Sequence, residues 1–187
     1  MRLVLASRSP RRSDLLTAAG YTFLVAPADI DERRHEGESP SEYVGRLAAE
    51  KAGKINPDVP DAVVLGADTV VVVDARVLGK PVDDADAAAM LQRLSGRSHE
   101  VLTGVALHAP GCRRREVAVT RVTFRALTSA DVAWYVESGE SAGKAGAYAI
   151  QGRASRFVTH IDGSYSNVVG LPVAVVDRLL RSLGDER

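Results

Sequence analysis

The run AVVLGADTVVVV at residues 62–73 constrains the fold more than any other stretch of this chain. Apolar residues occupy successive positions, so both faces of such a strand must be covered, which is typical of a strand inside a sheet packed on both sides. The tripeptide GAD at 66–68 interrupts the run. We therefore predict two strand-like segments around this tripeptide, followed by a turn near Asp74 and Ala75.

Helices with clear start signals separate the strands. Ser9 is placed to cap a helix that begins at Pro10, where the missing N–H has no helical partner to lose, and Gly20 suits the end of that helix. Ser39 and Glu42 form a capping-box pattern for a second helix. Further helices are expected over 83–96, over 128–139 and from Pro172 onwards.

The strands alternate with these helices without a strict βαβ rhythm. Strand-like runs lie at 3–6, 21–27, 99–109, 115–127 and 156–161. The linking sequence APGCRR predicts a hairpin between the two longest runs, with Cys112 in an exposed turn. This order favours an α/β architecture with a mixed sheet, and we expect a single domain over residues 1–187.

Charge and cysteine content exclude several function classes. The chain has 24 Lys and Arg against 24 Asp and Glu, so it lacks the basic field of many nucleic-acid binders, which makes nucleic acid an unfavoured partner. The single cysteine excludes an intrachain disulfide and a multi-cysteine zinc site. No run approaches the roughly 18 apolar residues of a membrane span, and no secretory signal pattern begins the chain. We expect a cytoplasmic protein that does not bind membranes.

Asp68 is the first candidate for chemistry, because it lies in a buried run. A buried carboxylate must be hydrogen-bonded, paired with a cation or bound to a metal. Backbone N–H groups at a bulge could satisfy it equally well. Glu32 lies in a polar loop, and if it approaches Asp68 the pair offers the hard oxygen ligands that Mg²⁺ prefers.

Several cations could accompany these acids. Lys51 follows Val44 and Leu47 on one face of the second helix, where it either reaches back to water or delivers its ammonium into a cleft. Lys80 ends a strand, and a solvated lysine is the simpler interpretation there. Three arginines crowd the start of the first helix, where they oppose the helix dipole unless an anion binds: Arg8, Arg11 and Arg12.

The glycine-rich stretch GESAGKAG is not a phosphate-binding P-loop. Its glycine spacing is one residue short, Ala145 stands where Ser or Thr is required, and a helix precedes it. The glycines suit tight turns or a close approach to a ligand. Gln151 follows, and its amide can donate and accept at once, as reading a base edge requires.

Together these motifs resemble the Maf-like nucleoside triphosphate pyrophosphatases over nearly the whole chain. The matching stretches are SRSPRR at 7–12, DE at 31–32, EKA at 50–52, GADTVV at 66–71, GKP at 79–81, LSGRSHEVLTGV at 94–105, GKAGAYAIQG at 143–152 and GSYSNVVGLP at 163–172. Each stretch is weak alone, but their order and spacing make the combination specific. One departure is Ala149, where the family commonly has glycine.

The resemblance implies an elongated fold like that of the inosine triphosphate pyrophosphatase group, with a central mixed sheet flanked by helices and two lobes around a cleft. It implies hydrolysis of a nucleoside triphosphate to the monophosphate and pyrophosphate with a divalent cation, Mg²⁺ or Mn²⁺, often in a homodimer. The sequence is similar to the branch that acts on dTTP and UTP. Modified pyrimidine nucleotides stay open as further substrates.

The resemblance also implies roles for individual residues. Asp68 is the implied proton acceptor and a metal ligand, with Glu32 near the same ion. The implied triphosphate contacts are Ser7, Arg12, Lys51 and Lys80. The implied determinants of base preference are Arg11, Thr69 and Gln151.

A different class of function stays open, namely a nucleotide- or nucleic-acid-binding regulator without turnover, linked to cell division. A basic cleft suits both classes. The acids discriminate between them, because a pure anion binder gains nothing from Asp68 and Glu32 beside phosphate, whereas a metal-dependent hydrolase requires such groups.

Overall fold

The apolar run forms one continuous strand, β3 (Ala62–Val73), in the computed structural model of the protein, which describes residues 2–55 and 62–183. β1 (Arg2–Leu5) pairs with its first half in parallel. After the turn at Asp74 and Ala75, β4 (Arg76–Leu78) pairs with its second half in antiparallel orientation. The prediction of two separate runs was wrong, because the tripeptide GAD stays extended within the strand.

The strands form a mixed sheet, which confirms the expected α/β class. The remaining strands are β2 (Phe23–Val25), β5 (Ser98–Ala109), β6 (Cys112–Phe124) and β7 (Val158–Asp162). The strand order is β2-β1-β3-β5-β6-β7, with β4 on β3. β1 is parallel to β2 and β3, whereas β7 is antiparallel to β6. The expected arrangement of two lobes around a cleft stays a prediction.

The helices follow most of the start signals. They are α1 (Pro10–Ala18), α2 (Pro40–Lys54), α3 (Asp84–Leu94), α4 (Ser129–Glu137), α5 (Tyr165–Val169) and α6 (Val173–Ser182). Capping boxes form at Ser39 and at Thr128, as expected for the former. Ser9 is the N-cap of α1 and Pro10 begins the helix, as predicted, but the Ser9 side chain makes no capping bond, and its N–H donates to Ser7 Oγ. No sequence signal predicted the short α5.

The chain divides into two compact units. In the described residues the first comprises 2–55, 62–69, 103–118 and 170–183, and the second comprises 70–102 and 119–169. The first has an aliphatic core from β1, β3, β5, α1 and α6, including Leu5, Leu16, Leu65, Leu107 and Leu171. The second is built around aromatic rings, including Phe124, Tyr135, Tyr148 and Phe157.

Two further predictions, on Cys112 and on membrane-spanning helices, can be compared with the structure. Cys112 is not in an exposed turn: it begins β6, is half-buried and packs against the core of the first unit. The loop before it shrinks to Pro110 and Gly111 because the strand starts earlier than the basic residues suggested. Within residues 2–55 and 62–183, none of the helices has the length and apolarity needed to cross a membrane.

Candidate active site

Two glycines let α2 lie directly on the sheet of the first unit. A Cβ added at Gly66 on β3 would lie 2.1 Å from the carbonyl oxygen of Ala48. A Cβ added at Gly104 on β5 would lie 2.1 Å from the carbonyl oxygen of Val44. No side chain fits at either point, so glycine is required for this approach. GAD and LTG therefore contain the glycines that bring α2 onto the strands.

The close approach places Lys51 at the centre of a charged cluster. Its Nζ lies 2.6 Å from Asp68 Oδ1 and 2.6 Å from Glu32 Oε1. Val44 and Leu47 are fully buried on the same helical face, as predicted, and the side chain of Lys51 is only 10% exposed. Its ammonium therefore points into the protein, and Asp68 is paired with a cation. We call Glu32, Lys51 and Asp68 the Lys51 cluster.

Helix α2 also holds the loop that carries Glu32. Tyr43 Oη donates to the carbonyl oxygen of Glu32 over 2.6 Å, and Arg46 Nη2 donates to that of Arg33 over 3.0 Å. Arg46 is itself anchored by Glu38, with 2.7 Å between Nε and Oε1. Partial burial raises the pKa of Tyr43, and the charges of Asp68 and Glu32 add to that effect. Sequence reasoning missed Tyr43, although it lies about two helical turns before Lys51.

Arg12 forms a second buried charge in the same unit. Its Nε donates to the carbonyl oxygen of Gly170 over 2.9 Å, and its Nη1 donates to Ser7 Oγ over 3.1 Å and to the carbonyl oxygen of Ala67 over 2.8 Å. Its Nη2 donates to Thr69 Oγ1 over 3.1 Å. Desolvation lowers its pKa, an effect that the Asp68 charge opposes. These bonds tie together the segment after β1, the middle of β3 and the residue that follows α5.

The other residues predicted in this unit surround Arg12. Ser7 is buried, and its Oγ accepts from Arg12 and from the N–H of Ser9. Thr69 Oγ1 lies 2.9 Å from the hydroxyl of Thr103, a fully buried residue that sequence reasoning missed. Thr103 precedes Gly104 in the stretch LTG, and this position was the sequence signal that could have identified it. Arg11 is half-buried, and desolvation lowers its pKa.

Arg8 differs from its two neighbours. Its side chain is 73% exposed, and its ion pair with Asp29 spans 4.0 Å. An exposed pair at this distance contributes little to stability. Arg8 is therefore a surface charge, whereas Arg11 and Arg12 are withdrawn from water.

The Lys51 cluster has the donor set for a divalent cation. Two carboxylates that share one ammonium at 2.6 Å each have oxygens at most about 5 Å apart. Among the described residues no group of three or more His, Cys, Asp or Glu side chains could form an all-protein metal site. Mg²⁺ is commonly held by one or two carboxylates, with water and substrate phosphate completing the shell. Glu32 and Asp68 fit that pattern.

Lys80 and Gln151 belong to the second unit. Both side chains are exposed, and Lys80 has no ion-pair partner within the part of the chain that the structure describes. The stretches that carry them are joined by a hydrogen bond of 3.0 Å from the N–H of Gly146 to the carbonyl oxygen of Gly79. The motifs GKP and GKAGAYAIQG are therefore neighbours within this unit.

A wide cavity of about 1060 Å³ in the first unit contains none of the predicted site residues. It lies between α2, β6 and the loop at 29–31, and it is lined by basic and acidic side chains together, including Lys54, Arg113, Arg115, Asp29 and Glu50. None of the three residues of the Lys51 cluster lines it, so size alone does not identify the site.

Comparison with known proteins gives three findings. A family model described as Maf-like protein matches residues 2–183. The dTTP/UTP pyrophosphatase of Koribacter versatilis is 50% identical over 184 residues, with 98% of this chain and 95% of the relative covered. That of Myxococcus xanthus is 54% identical over 184 residues, with 97% and 92% covered. Among solved structures, the Staphylococcus aureus Ham1 protein covers 66% of this chain and 72% of its own at 12% identity, with a TM-score of 0.43, too low to establish a shared fold.

Proposed function

The chain belongs to the Maf-like protein family, and on that premise we propose that it hydrolyses dTTP and UTP to the monophosphate and pyrophosphate. Relatives about 50% identical over nearly the whole chain carry the name dTTP/UTP pyrophosphatase. The observation that carries the proposal is the Lys51 cluster, in which one ammonium holds two carboxylates. A simple anion-binding site would not contain such carboxylates.

Asp68 is the proposed proton acceptor. Water adds to a phosphorus beside the α–β bridge, the bond from that phosphorus to the bridging oxygen breaks, and the proton of the water passes to Asp68. Lys51 holds the Asp68 carboxylate in place through the 2.6 Å contact. A divalent cation held by Glu32 and Asp68 supplies positive charge to the phosphate oxygens when it is bound.

Charge that grows on the departing pyrophosphate needs cations. We assign this role to Lys51 and Lys80, with Ser7 and Arg12 at the phosphate chain. Four N–H groups of Arg12 already bind protein atoms, so its contribution to phosphate is mainly the positive charge that it keeps close to Ser7 and Thr69. Base preference is assigned to Arg11, Thr69 and Gln151.

Pyrophosphate release tests the proposal. The protein is incubated with dTTP, UTP, CTP, GTP, ATP and 7-methyl-GTP, with Mg²⁺, with Mn²⁺ and with a chelator. We expect metal-dependent release mainly from dTTP and UTP. Tight nucleotide binding without any release would contradict hydrolysis and support the non-catalytic regulator instead.

The resemblance supports three further proposals. Residues 1–187 act as one catalytic domain, the chain forms a homodimer, and it works in the cytoplasm. Light scattering after size exclusion tests the dimer, since a single mass of 19.9 kDa would contradict it. Fluorescence microscopy of a tagged chain in its host tests the location.

A further inference from the structure

His99 and Tyr148 form a buried polar pair in the second unit. His99 on β5 is 2% exposed and Tyr148 is 6% exposed, and 2.8 Å separates His99 Nε2 from Tyr148 Oη. The ring of Phe124 packs edge-on against both, with ring centres 5.0 Å from His99 and 4.9 Å from Tyr148. Three aromatic rings therefore fix the geometry of this single hydrogen bond.

Burying this polar pair costs free energy that an apolar core would not. His99 Nδ1 is buried and has no hydrogen-bond partner among the described residues. Burial lowers the pKa of His99 to about 4 and raises that of Tyr148, so both side chains are neutral near pH 7. Apolar rings of similar size would pack here without desolvating polar atoms. The hydrogen bond therefore calls for a role beyond packing.

Tyr148 lies inside the segment 145–153. Contacts with other parts of the second unit fix the first residues of this segment. Gly146 has φ of +67°, its N–H binds the carbonyl oxygen of Gly79, and a Cβ there would lie 2.8 Å from Val71 Cγ2. Ala147 follows with φ of +60°, a left-handed conformation that is unfavourable for alanine. Such strain persists only where surrounding contacts hold the backbone in place.

The same segment is held at its end. Tyr135 Oη accepts from the N–H of Ala149 over 3.0 Å, and Glu140 Oε2 accepts from the N–H of Arg153 over 2.8 Å. Burial raises the pKa of Tyr135, and the neighbouring Glu140 carboxylate adds to that effect. We call His99, Tyr135 and Tyr148 the His99 network: Tyr148 extends from the segment into the core, where it meets His99, and Tyr135 binds the segment at Ala149.

Gln151 is the exposed residue between these anchors. Ile150 before it is buried, and the N–H of Gly152 after it binds the carbonyl oxygen of Ala149 over 3.1 Å. We propose that the His99 network is a set of positioning residues that fixes the backbone under Gln151 and thereby determines which nucleobase the enzyme prefers. The inference rests on the proposed function, in which Gln151 contacts the base.

Chemistry explains why a fixed backbone matters. The pairing edges of thymine and uracil present an acceptor at O4 and a donor at N3, whereas that of cytosine presents a donor at N4 and an acceptor at N3. A glutamine amide offers a donor and an acceptor, so it satisfies either edge if it can turn and shift. Holding its backbone removes that freedom, and a mismatched base then leaves polar groups unpaired.

The test removes one oxygen atom. Tyr148→Phe deletes the hydroxyl and keeps the ring. The matched control, Tyr21→Phe, deletes a hydroxyl that donates to Asp177 over 2.7 Å in the first unit. We expect Tyr148→Phe to raise KM for dTTP about tenfold, to lower the ratio of kcat/KM for dTTP over CTP about tenfold, and to leave kcat within about twofold. Tyr21→Phe should leave all three unchanged.

A second pair of variants guards against simple loss of folding. His99→Leu should reproduce the effect of Tyr148→Phe, and His99→Gln, which can still bond the tyrosine, should restore part of the preference. Amide hydrogen exchange is measured on peptides covering 145–153, where Tyr148→Phe should accelerate exchange at least about tenfold relative to Tyr21→Phe. Unchanged exchange there, or accelerated exchange with unchanged base preference, would overturn the inference.

Base preference is also measured without turnover, as the Kd for dTTP against that for CTP. If the wild-type protein binds dTTP selectively but releases no pyrophosphate, the proposed hydrolysis fails, while loss of that selectivity in Tyr148→Phe still supports the positioning role. If release is normal and both Tyr148→Phe and His99→Leu keep the wild-type base preference, only the positioning role fails.

Discussion

The Lys51 cluster and the His99 network place polar groups inside the protein in opposite ways. The first holds two carboxylates around one ammonium, and half of the Glu32 side chain stays exposed. The second holds neutral groups between aromatic rings and is almost fully buried. Charge that must meet a substrate remains open to solvent on one side, whereas a group that only positions the chain can be enclosed. Substitutions should therefore lower kcat in the first region, whereas in the second they should change stability and base preference.

Asp68→Asn should separate the effect on catalysis from the effect on stability most clearly. Loss of the proton acceptor should lower kcat for dTTP about 10²–10⁴-fold. Lys51 keeps its contact with Glu32, so the melting temperature should change by only a few degrees. Activity assays and thermal unfolding followed by circular dichroism measure both, with the surface variant Asp177→Asn as control. Turnover near that of the wild type would remove Asp68 from its proposed role.

Phe157→Ala should show the opposite behaviour. Phe157 is fully buried and packs against Phe124, Trp134 and Tyr135. Its truncation should lower the free energy of unfolding by about 3–5 kcal/mol. Urea unfolding measures the change, and Leu24→Ala on an exposed position serves as control. A loss below about 1 kcal/mol would show that this aromatic core does not stabilise the second unit.

Mildly acidic pH should destabilise the folded protein through His99. The pKa of His99 falls from 6.5 in the unfolded chain to about 4 in the folded protein, so between these values only the unfolded chain binds the proton. The free energy of unfolding should therefore decrease by about 3 kcal/mol as pH falls from 6.5 to 4. The variant His99→Gln should lose this part of the pH dependence. Equal slopes in the two proteins would contradict the burial of a neutral histidine.

The smallest effects are expected at the two capping boxes, one in each unit. Ser39 accepts from the N–H of Glu42 over 3.2 Å, and Thr128 accepts from that of Asp131 over 3.1 Å. Ser39→Ala and Thr128→Ala should each lower the free energy of unfolding by about 1 kcal/mol. Urea unfolding should show nearly equal losses. A loss at only one cap would indicate that the other helix does not depend on its capping box.

Local patterns in the sequence predicted part of this structure and of its site. Ser39 and Lys51 were predictable because the cap and the helical face depend on residues within three or four positions. The pairing of Thr103 with Thr69 and the contact of Arg12 with Gly170 were not, because they join positions 34 and 158 residues apart along the chain. Gly66 was misinterpreted as a break in the strand. The close contact that requires glycine at this position is with α2, which lies outside its own strand.

The contact of Arg12 with Gly170 also has a consequence for biosynthesis. The carbonyl oxygen that Arg12 Nε requires belongs to a residue that is made 158 residues after Arg12 itself. At about 5–20 residues per second this delay lasts roughly 8–30 s. Until then the guanidinium lacks one of its internal partners, and burying it is correspondingly unfavourable. A nascent or truncated chain thus carries this charge in water, and the site becomes complete only after Gly170 has been synthesised.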